Sequence, residues 1–494
     1  MLNQEKGYTI EHNSKPHVVR GGILGDEMGL GKTVQALALI VNSVAKKTLI
    51  VMPLAVKKQW EDAARRCDVN LFTPTPYGSR WLQQNATNSS KPIVHIAHYD
   101  KIANKPELCE GENYDRIIID EAQTIRNAKT KKAKAVLDIK AAYKWVLTAT
   151  PIVNQMDDAV TYLKFIGFPI AQSSGKWRDE YEEWVRNTYM ARTLDMCEAP
   201  AGLTMPPEPI KEVRHLEFTS PEEEKVYTSI HAGIENQYRQ AQAMSGKSYM
   251  LAMFSIILRL RQISVNPQIY IKARQKEPFG WAGPEFHQVS RKFDEIASLL
   301  RESHEGSIAN RWIIFCQFHE EMDMLNTYLK AFPFVGSVLQ YHGGMSMKER
   351  DAAIAESHNA SGAATETTGA TSGATGAATG AATSAATSAA TARQDIFLIQ
   401  LQAGGTGLNL QHYDRVIFVS PWWTAALLDQ ALGRAVRIGQ KNVVKVYWLK
   451  LKTELEDTFN IDSFIMDKAD SKRDLGQKFL GFSVGRASAE ESTA

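Results

Sequence analysis

The 494-residue chain is poor in cysteine, with four: Cys67, Cys109, Cys197 and Cys316. They are scattered and form no CxxC pair. That excludes a zinc finger, a RING or a disulfide scaffold, and fits a reducing compartment. Long hydrophobic runs are also missing. None approaches the ~18 apolar residues a membrane helix needs, so no membrane partner is expected. The opening stretch, MLNQEKGYTI, carries no apolar segment of the secretory type. Excess charge of one sign is lacking as well: 57 Lys and Arg oppose 55 Asp and Glu. Any site for a polyanion must therefore be a local patch. What is present is ordinary for a globular protein, 44% apolar and 23% charged residues. The length suggests about three structural units.

One stretch departs from this texture. Residues 359–392 are nearly all Ala, Thr, Gly and Ser, ending in TGAATGAATSAATSAAT. Such a segment cannot bury enough surface to offset the entropy of ordering, so a disordered insert is expected. On either side the pattern is α/β. The runs TLIVMP (48–53), PIVHIAHY (92–99), RIIID (116–120) and KWVLTAT (144–150) form one set. WIIFC (312–316), DIFLIQ (395–400), RVIFV (415–419) and VKVYWL (444–449) form a second. Near-continuous apolar runs indicate strands covered on both faces, as in parallel sheets. Two α/β lobes follow, joined over about 170–290 by a helical connector that includes PEEEKVYTSIHAGIENQYRQ and SYMLAMFSIILRLRQISV.

Five short motifs carry chemistry. GILGDEMGLGKT (22–33) runs from a strand through a Gly-rich turn into a helix. Gly29 and Gly31 allow close backbone approach to a phosphate, and the helix start adds its dipole. Lys32 can reach β- and γ-phosphates, and the Thr33 hydroxyl can ligate Mg²⁺. The generic GxxxxGK[ST] pattern is missed by one residue, Asp26, and a turn that binds nothing stands as the plain alternative. RIIIDEAQ (116–123) places Asp120 and Glu121 at a strand end, where one acid can hold Mg²⁺ and the next can activate water. As an isolated triplet it also fits two solvated acids capping a helix. KWVLTATPIVNQ delivers Thr148 and Thr150 to a strand end. LIQLQAGGTGLNLQ (398–411) ends a strand in a Gly-rich turn. In DQALGRAVRIGQ (429–440), Arg434 and Arg437 would share one face of a helix, either to neutralise a transferring phosphoryl group or as a solvated basic face. The order of the motifs is the stronger signal: loop, acids and TATP lie in one α/β set, Gly turn and arginine pair in the other. An ATPase with its nucleotide between two lobes has that order.

DEMGLGKT, DEAQTIRN, LTATPIVN, AGGTGLNL and RAVRIGQ resemble motifs I, II, III, V and VI of the SWI/SNF-type ATPases, helicase-like DNA translocases of helicase superfamily two. That family begins motif I with Asp, which accounts for Asp26. The resemblance implies two RecA-like lobes with a helical connector, ATP and Mg²⁺ as ligands, and movement along double-stranded DNA in remodelling or repair. Its partners would be duplex DNA, with nucleosomes or DNA-bound protein, and its location the nucleus. It implies ATP binding by Asp26, Glu27, Met28, Gly29, Leu30, Gly31, Lys32, Thr33 and Asp120, with Thr33 and Asp120 on Mg²⁺. Glu121, Arg434 and Arg437 would be catalytic. Gln123, Thr148, Thr150, Gly405 and Gly407 would couple nucleotide state to DNA. The expected division is an ATP-binding lobe at 1–168, the connector at 169–290, a C-terminal lobe at 291–475 holding the insert, and a flexible tail at 476–494. The family's adenine-binding segment with its Gln is expected to be missing before Gly21. An RNA helicase, or a non-catalytic relative that binds DNA or a chromatin partner, are the other readings.

Overall fold

The β-branched runs become parallel strands in two separate sheets. A computed structural model describes the chain except residues 13–14, 86–87, 89, 171–176, 199–203, 278–279, 282, 307, 309, 363–392, 405–407, 453–458 and 481–494. The glycines Gly405 and Gly407, most of the Ala/Thr-rich insert and the end of the expected tail lie outside the described residues. The chain divides into two compact units, one built mainly from Met1–Met205 and the other from Pro206–Ala469 apart from a short piece at 424–426.

In the first unit a hairpin of β1 (Tyr8–His12) and β2 (Lys15–Val19) precedes an eight-stranded sheet. Its strands are β3 (Gly21–Leu24), β4 (Lys47–Met52), β5 (Asn70–Pro74), β6 (Trp81–Gln83), β7 (Ile93–His98), β8 (Arg116–Asp120), β9 (Tyr143–Leu147) and β10 (Tyr189–Met190). The order is β10-β3-β9-β8-β4-β7-β5-β6, parallel except for the β5–β6 pair. Both faces are apolar because both are covered. Along β8, Ile117 and Ile119 pack with Leu49 and Val51 on one face. Ile118 turns to the other face, with Ile50, Trp60 and Trp145. Burial of each such side chain contributes about 1.5–3 kcal/mol. The lower edge is pinned by a buried ion pair. Arg116 Nε and Nη2 donate to the two Glu5 carboxylate oxygens at 2.7 and 2.6 Å, and Trp145 Nε1 also donates to Glu5 at 3.0 Å. The short helix Leu2–Glu5 is thereby fixed to the sheet.

The second unit holds β11 (Ile210–Leu216), β12 (Arg311–Cys316), β13 (Val335–Tyr341), β14 (Gln394–Gln400), β15 (Arg415–Phe418) and β16 (Lys445–Leu451). All six are parallel in the order β11-β16-β15-β12-β14-β13. Both units are thus RecA-like α/β lobes. Ile313 and Phe315 pack with Phe397, Ile399 and Phe418 on one face. Trp312 and Ile314 pack on the other with Ile256, Leu260 and Ile263 of the connector helix Gly246–Val265. A buried polar cluster fastens that helix. Lys292 Nζ donates to Asp462 at 2.7 Å and to Ser264 and Ser420 at 3.2 and 3.3 Å, while the Ser264 hydroxyl donates to Asp462 at 2.8 Å. The long helix Pro221–Ala241 begins on Ser220, whose hydroxyl accepts the Glu223 N–H.

Candidate nucleotide-binding site

In the first lobe, strands β3, β9 and β8 are neighbours, and their C-terminal ends carry GDEMGLGKT, TAT and DEAQ side by side. Ligand crevices of parallel sheets lie at that edge. The loop from Gly25 to Gly31 turns through two left-handed glycines, Gly29 at φ 88° and Gly31 at φ 75°, where an L side chain would be strained. The helix Lys32–Val41 starts directly after it. Lys32 Nζ donates to the carbonyls of Asp26, at 2.6 Å, and Glu27, at 3.3 Å. Met28, Leu30 and Thr33 lie in and just beyond the turn, partly accessible. Asp26 and Glu27 direct their carboxylates elsewhere. Asp26 is fully buried against Arg192 and Gln35, and Glu27 accepts the Leu194 N–H. What this loop presents is backbone, the lysine and the threonine.

Asp120 ends β8 with its carboxylate buried. Oδ2 accepts the Trp60 indole N–H at 2.7 Å and Oδ1 accepts the Glu121 N–H at 2.9 Å. Burial first, then the charge of Glu121, pushes the Asp120 carboxyl up to about 6, against the pull of the Trp60 hydrogen bond and Lys32. A buried aspartate with a half-buried glutamate next to it and a lysine beside them fits a hard cation with oxygen ligands, and the Asp120 carboxylate keeps acceptor sites for one. With the Thr33 hydroxyl, this donor set fits Mg²⁺.

Glu121 stands out in the backbone: at φ 48° it is the one non-glycine with positive φ among the described residues. Such strain persists only where the surroundings impose it. A hydrogen-bonded relay ties down the Glu121 side chain. Gln123 Nε2 donates to Glu121 Oε2 at 2.7 Å, and the Thr148 hydroxyl donates to Gln123 Oε1 at 3.0 Å. The Thr150 N–H closes onto the Thr148 hydroxyl at 3.1 Å. Gln123, Thr148 and Thr150 are therefore joined to Glu121 through the ends of two neighbouring strands.

In the second lobe, β14 runs into a short helical turn, Leu401–Gly404, before the glycines that lie outside the described residues. The arginine pair is not on a helix. The helix Ala425–Leu432 ends first, and Arg434 and Arg437 sit in the turns that follow. Gly433 at the helix end and Gly439, at φ 97°, break the periodicity that spacing alone predicts. Burial first, and then the Arg434 charge, lowers the Arg437 pKa from its ordinary value. The turn is held by a residue the motif reading left without a role. Gln440 Nε2 donates to the carbonyls of Gln411 at 2.7 Å and Tyr413 at 3.0 Å, and lies 3.4 Å from that of Ala435. The Arg434 carbonyl accepts the Leu410 N–H at 3.0 Å. Residues 410–413, just after the Gly-rich segment, are thus bound to the arginine turn. Only the place of Gln440 directly after a glycine, Gly439, marked it in the sequence.

Comparison with known proteins gives this arrangement a family. The SNF2-related domain matches residues 4–269, more than half the chain. The chain belongs to the SNF2-related family. The helicase conserved C-terminal domain matches residues 379–439, across the arginine turn. The chain is similar to the DNA repair protein RAD5 of Candida albicans, 24% identical over 89% of this chain and 54% of that protein. It is similar to the human SWI/SNF-related matrix-associated actin-dependent regulator of chromatin subfamily A member 1, 23% identical over 88% of this chain and 40% of that one. The chain thus spans about half the length of the curated relatives it matches. Among solved structures it is similar to a Sulfolobus solfataricus SWI2/SNF2 ATPase core in complex with dsDNA. That match is 23% identical, covers 92% of this chain and 88% of the other, and has a TM-score of 0.37. The SNF2-related assignment carries the ATPase fold of helicase superfamily two, in which nucleotide hydrolysis is the common chemistry.

Proposed function

We propose that this chain hydrolyses ATP, with Mg²⁺, to move along double-stranded DNA, acting in remodelling or repair on nucleosomes or other DNA-bound protein. The observation that supports it best is the relay from Thr148 through Gln123 to Glu121, set beside the Lys32 loop and the buried Asp120. In this reading the turn Gly29–Gly31 and the start of the following helix offer N–H groups to phosphate, and Lys32 leaves the Asp26 and Glu27 carbonyls to reach it. Thr33 and Asp120 hold Mg²⁺, which when bound neutralises phosphate charge. Glu121 orients and deprotonates the attacking water, its carboxylate aimed by Gln123. Arg434 and Arg437 are the groups that neutralise charge on the transferring phosphoryl group. Gln123, Thr148 and Thr150 report the state of that site to the DNA-binding surface, and Gly405 and Gly407 shape the Gly-rich segment of the second lobe for the same task. DNA contact is mainly to phosphates, so binding weakens steeply with salt and shows little sequence preference.

The test is displacement of a third strand from a DNA triplex. ATP-dependent displacement, absent with a non-hydrolysable analogue and in Lys32→Ala, is expected. Hydrolysis without displacement would contradict translocation while leaving the ATPase reading in place.

A further inference from the structure

The chain leaves the first lobe along the phosphate loop. Strand β10 pairs in parallel with β3, and the pairing continues as the loop departs. The Gly25 N–H donates to the Met190 carbonyl at 2.7 Å, and the Glu27 N–H to the Arg192 carbonyl at 2.8 Å. The Leu194 N–H donates to the Glu27 carboxylate at 2.7 Å. A Cβ at Gly25 would lie 2.1 Å from the Tyr189 ring, so loop and strap fit without slack.

The strap also holds the loop through side chains. Asp26 is 0% exposed, and its charge is met within the protein. Asp26 Oδ1 accepts the Arg192 backbone N–H at 3.0 Å and Arg192 Nε at 3.1 Å, while Oδ2 accepts Arg192 Nη2 at 2.5 Å and Gln35 Nε2 at 2.9 Å. This is the two-pronged carboxylate geometry only a guanidinium supplies. Arg192 Nη2 also donates to Gln35 Oε1 at 2.6 Å, and Gln35 Nε2 donates to the Leu30 carbonyl at 2.9 Å. One arginine therefore ties the first residue of the turn directly and the fifth through Gln35. The carbonyls that hold Lys32 are those of Asp26 itself and of Glu27 beside it.

We propose that Arg192 is a positioning residue that keeps the phosphate loop in its ligand-receiving shape, and that the strap 189–194 regulates that shape. The proposal rests on the nucleotide reading of the loop. Because the strap is the covalent route from the first unit toward the second, drawing it away from β3 would release Asp26 and loosen the loop.

The test uses the full chain and its Arg192→Ala, Arg192→Lys, Asp26→Asn and Asp26→Asn/Arg192→Ala variants, with folding checked by thermal melting. Two quantities are read: amide hydrogen exchange across residues 26–31 without nucleotide, and affinity for a fluorescent ATP analogue with Mg²⁺. In Arg192→Ala, exchange in the loop should rise about tenfold or more, and the nucleotide Kd and KM about tenfold, with kcat within about threefold. Lysine should not rescue, because one ammonium cannot make both contacts. The double variant should be no worse than the worse single variant, as expected of residues acting as a pair. Unchanged loop exchange in folded Arg192→Ala, full rescue by lysine, or additive losses would overturn the proposal. If Arg192→Ala does not fold, Arg192→Lys and the double variant decide it by the same readings. If the wild-type chain binds no nucleotide, the ATP reading fails while hydrogen exchange still decides the clamp.

Discussion

The two lobes hold their candidate catalytic groups in different ways. In the first, side chains hold one another: Thr148, Gln123 and Glu121 form a relay, and Lys32 is parked on its own loop carbonyls. In the second, the arginine turn is held by backbone hydrogen bonds and by one amide, Gln440. The first lobe has fixed its chemistry in advance. The bonds that fix the turn in the second run through the main chain and the Gln440 amide. On the proposed reading, Glu121 is the group that needs a set direction, since it aims the attacking water.

Substitutions can break this contrast at graded cost. The largest effect is expected at the first-lobe centre. Lys32→Ala or Glu121→Gln should abolish steady-state ATP turnover, and measurable hydrolysis in a folded variant would remove those residues from the centre. Next, Arg437→Ala should lower kcat by about 10³-fold or more while ATP binding to the first lobe persists. Equal loss of binding would show that the arginine acts on the ground state. Gln440→Ala should destabilise the second lobe by about 2–3 kcal/mol, because buried carbonyls lose their donor, and should leave first-lobe nucleotide affinity alone. Chemical denaturation followed by a probe in each lobe separates the two. Thr148→Val should lower kcat about tenfold by freeing Gln123, with the ATP Kd unchanged, since one hydrogen bond of roughly 1–1.5 kcal/mol is removed.

The smallest effect is a pH slope confined to the first lobe. His95 is buried, its Nδ1 2.9 Å from the Tyr114 hydroxyl, and burial pushes its pKa down to about 3. The unfolded chain takes up a proton near the ordinary 6.5 and the folded lobe does not. This contribution to stability is therefore complete above 6.5 and is lost as pH falls from 6.5 toward 3, at no more than about 1.4 kcal/mol per pH unit. His95→Gln should flatten the dependence of the first-lobe Tm on pH between 6.5 and 4.

Much of this was legible locally. RIIID occupies its expected residues, and the central strands of both sheets lie within about two residues of their apolar runs, because strands covered on both faces need no partner pattern to be recognised. The motifs located the site because short contiguous segments carry it. The β1–β2 hairpin and strands β5, β6, β10 and β13 were not read as strands, and three further things were not legible. Strand β11, IKEVRHL, is a mostly exposed edge strand with alternating charges and reads as connector. The arginine pair left its expected helix because Gly433 and Gly439 outweigh a three-residue spacing. The Asp26–Arg192 and Glu5–Arg116 pairs join residues 166 and 111 positions apart, and no local period encodes such contacts.

The central claim is the proposal that this chain is a duplex-stimulated ATPase. It is tested most directly by ATP hydrolysis of the purified 494-residue chain with and without duplex DNA, alongside Lys32→Ala. Turnover that rises with duplex DNA and vanishes in Lys32→Ala is the predicted result. A folded chain that shows no turnover with DNA, or equal turnover in Lys32→Ala, would contradict it.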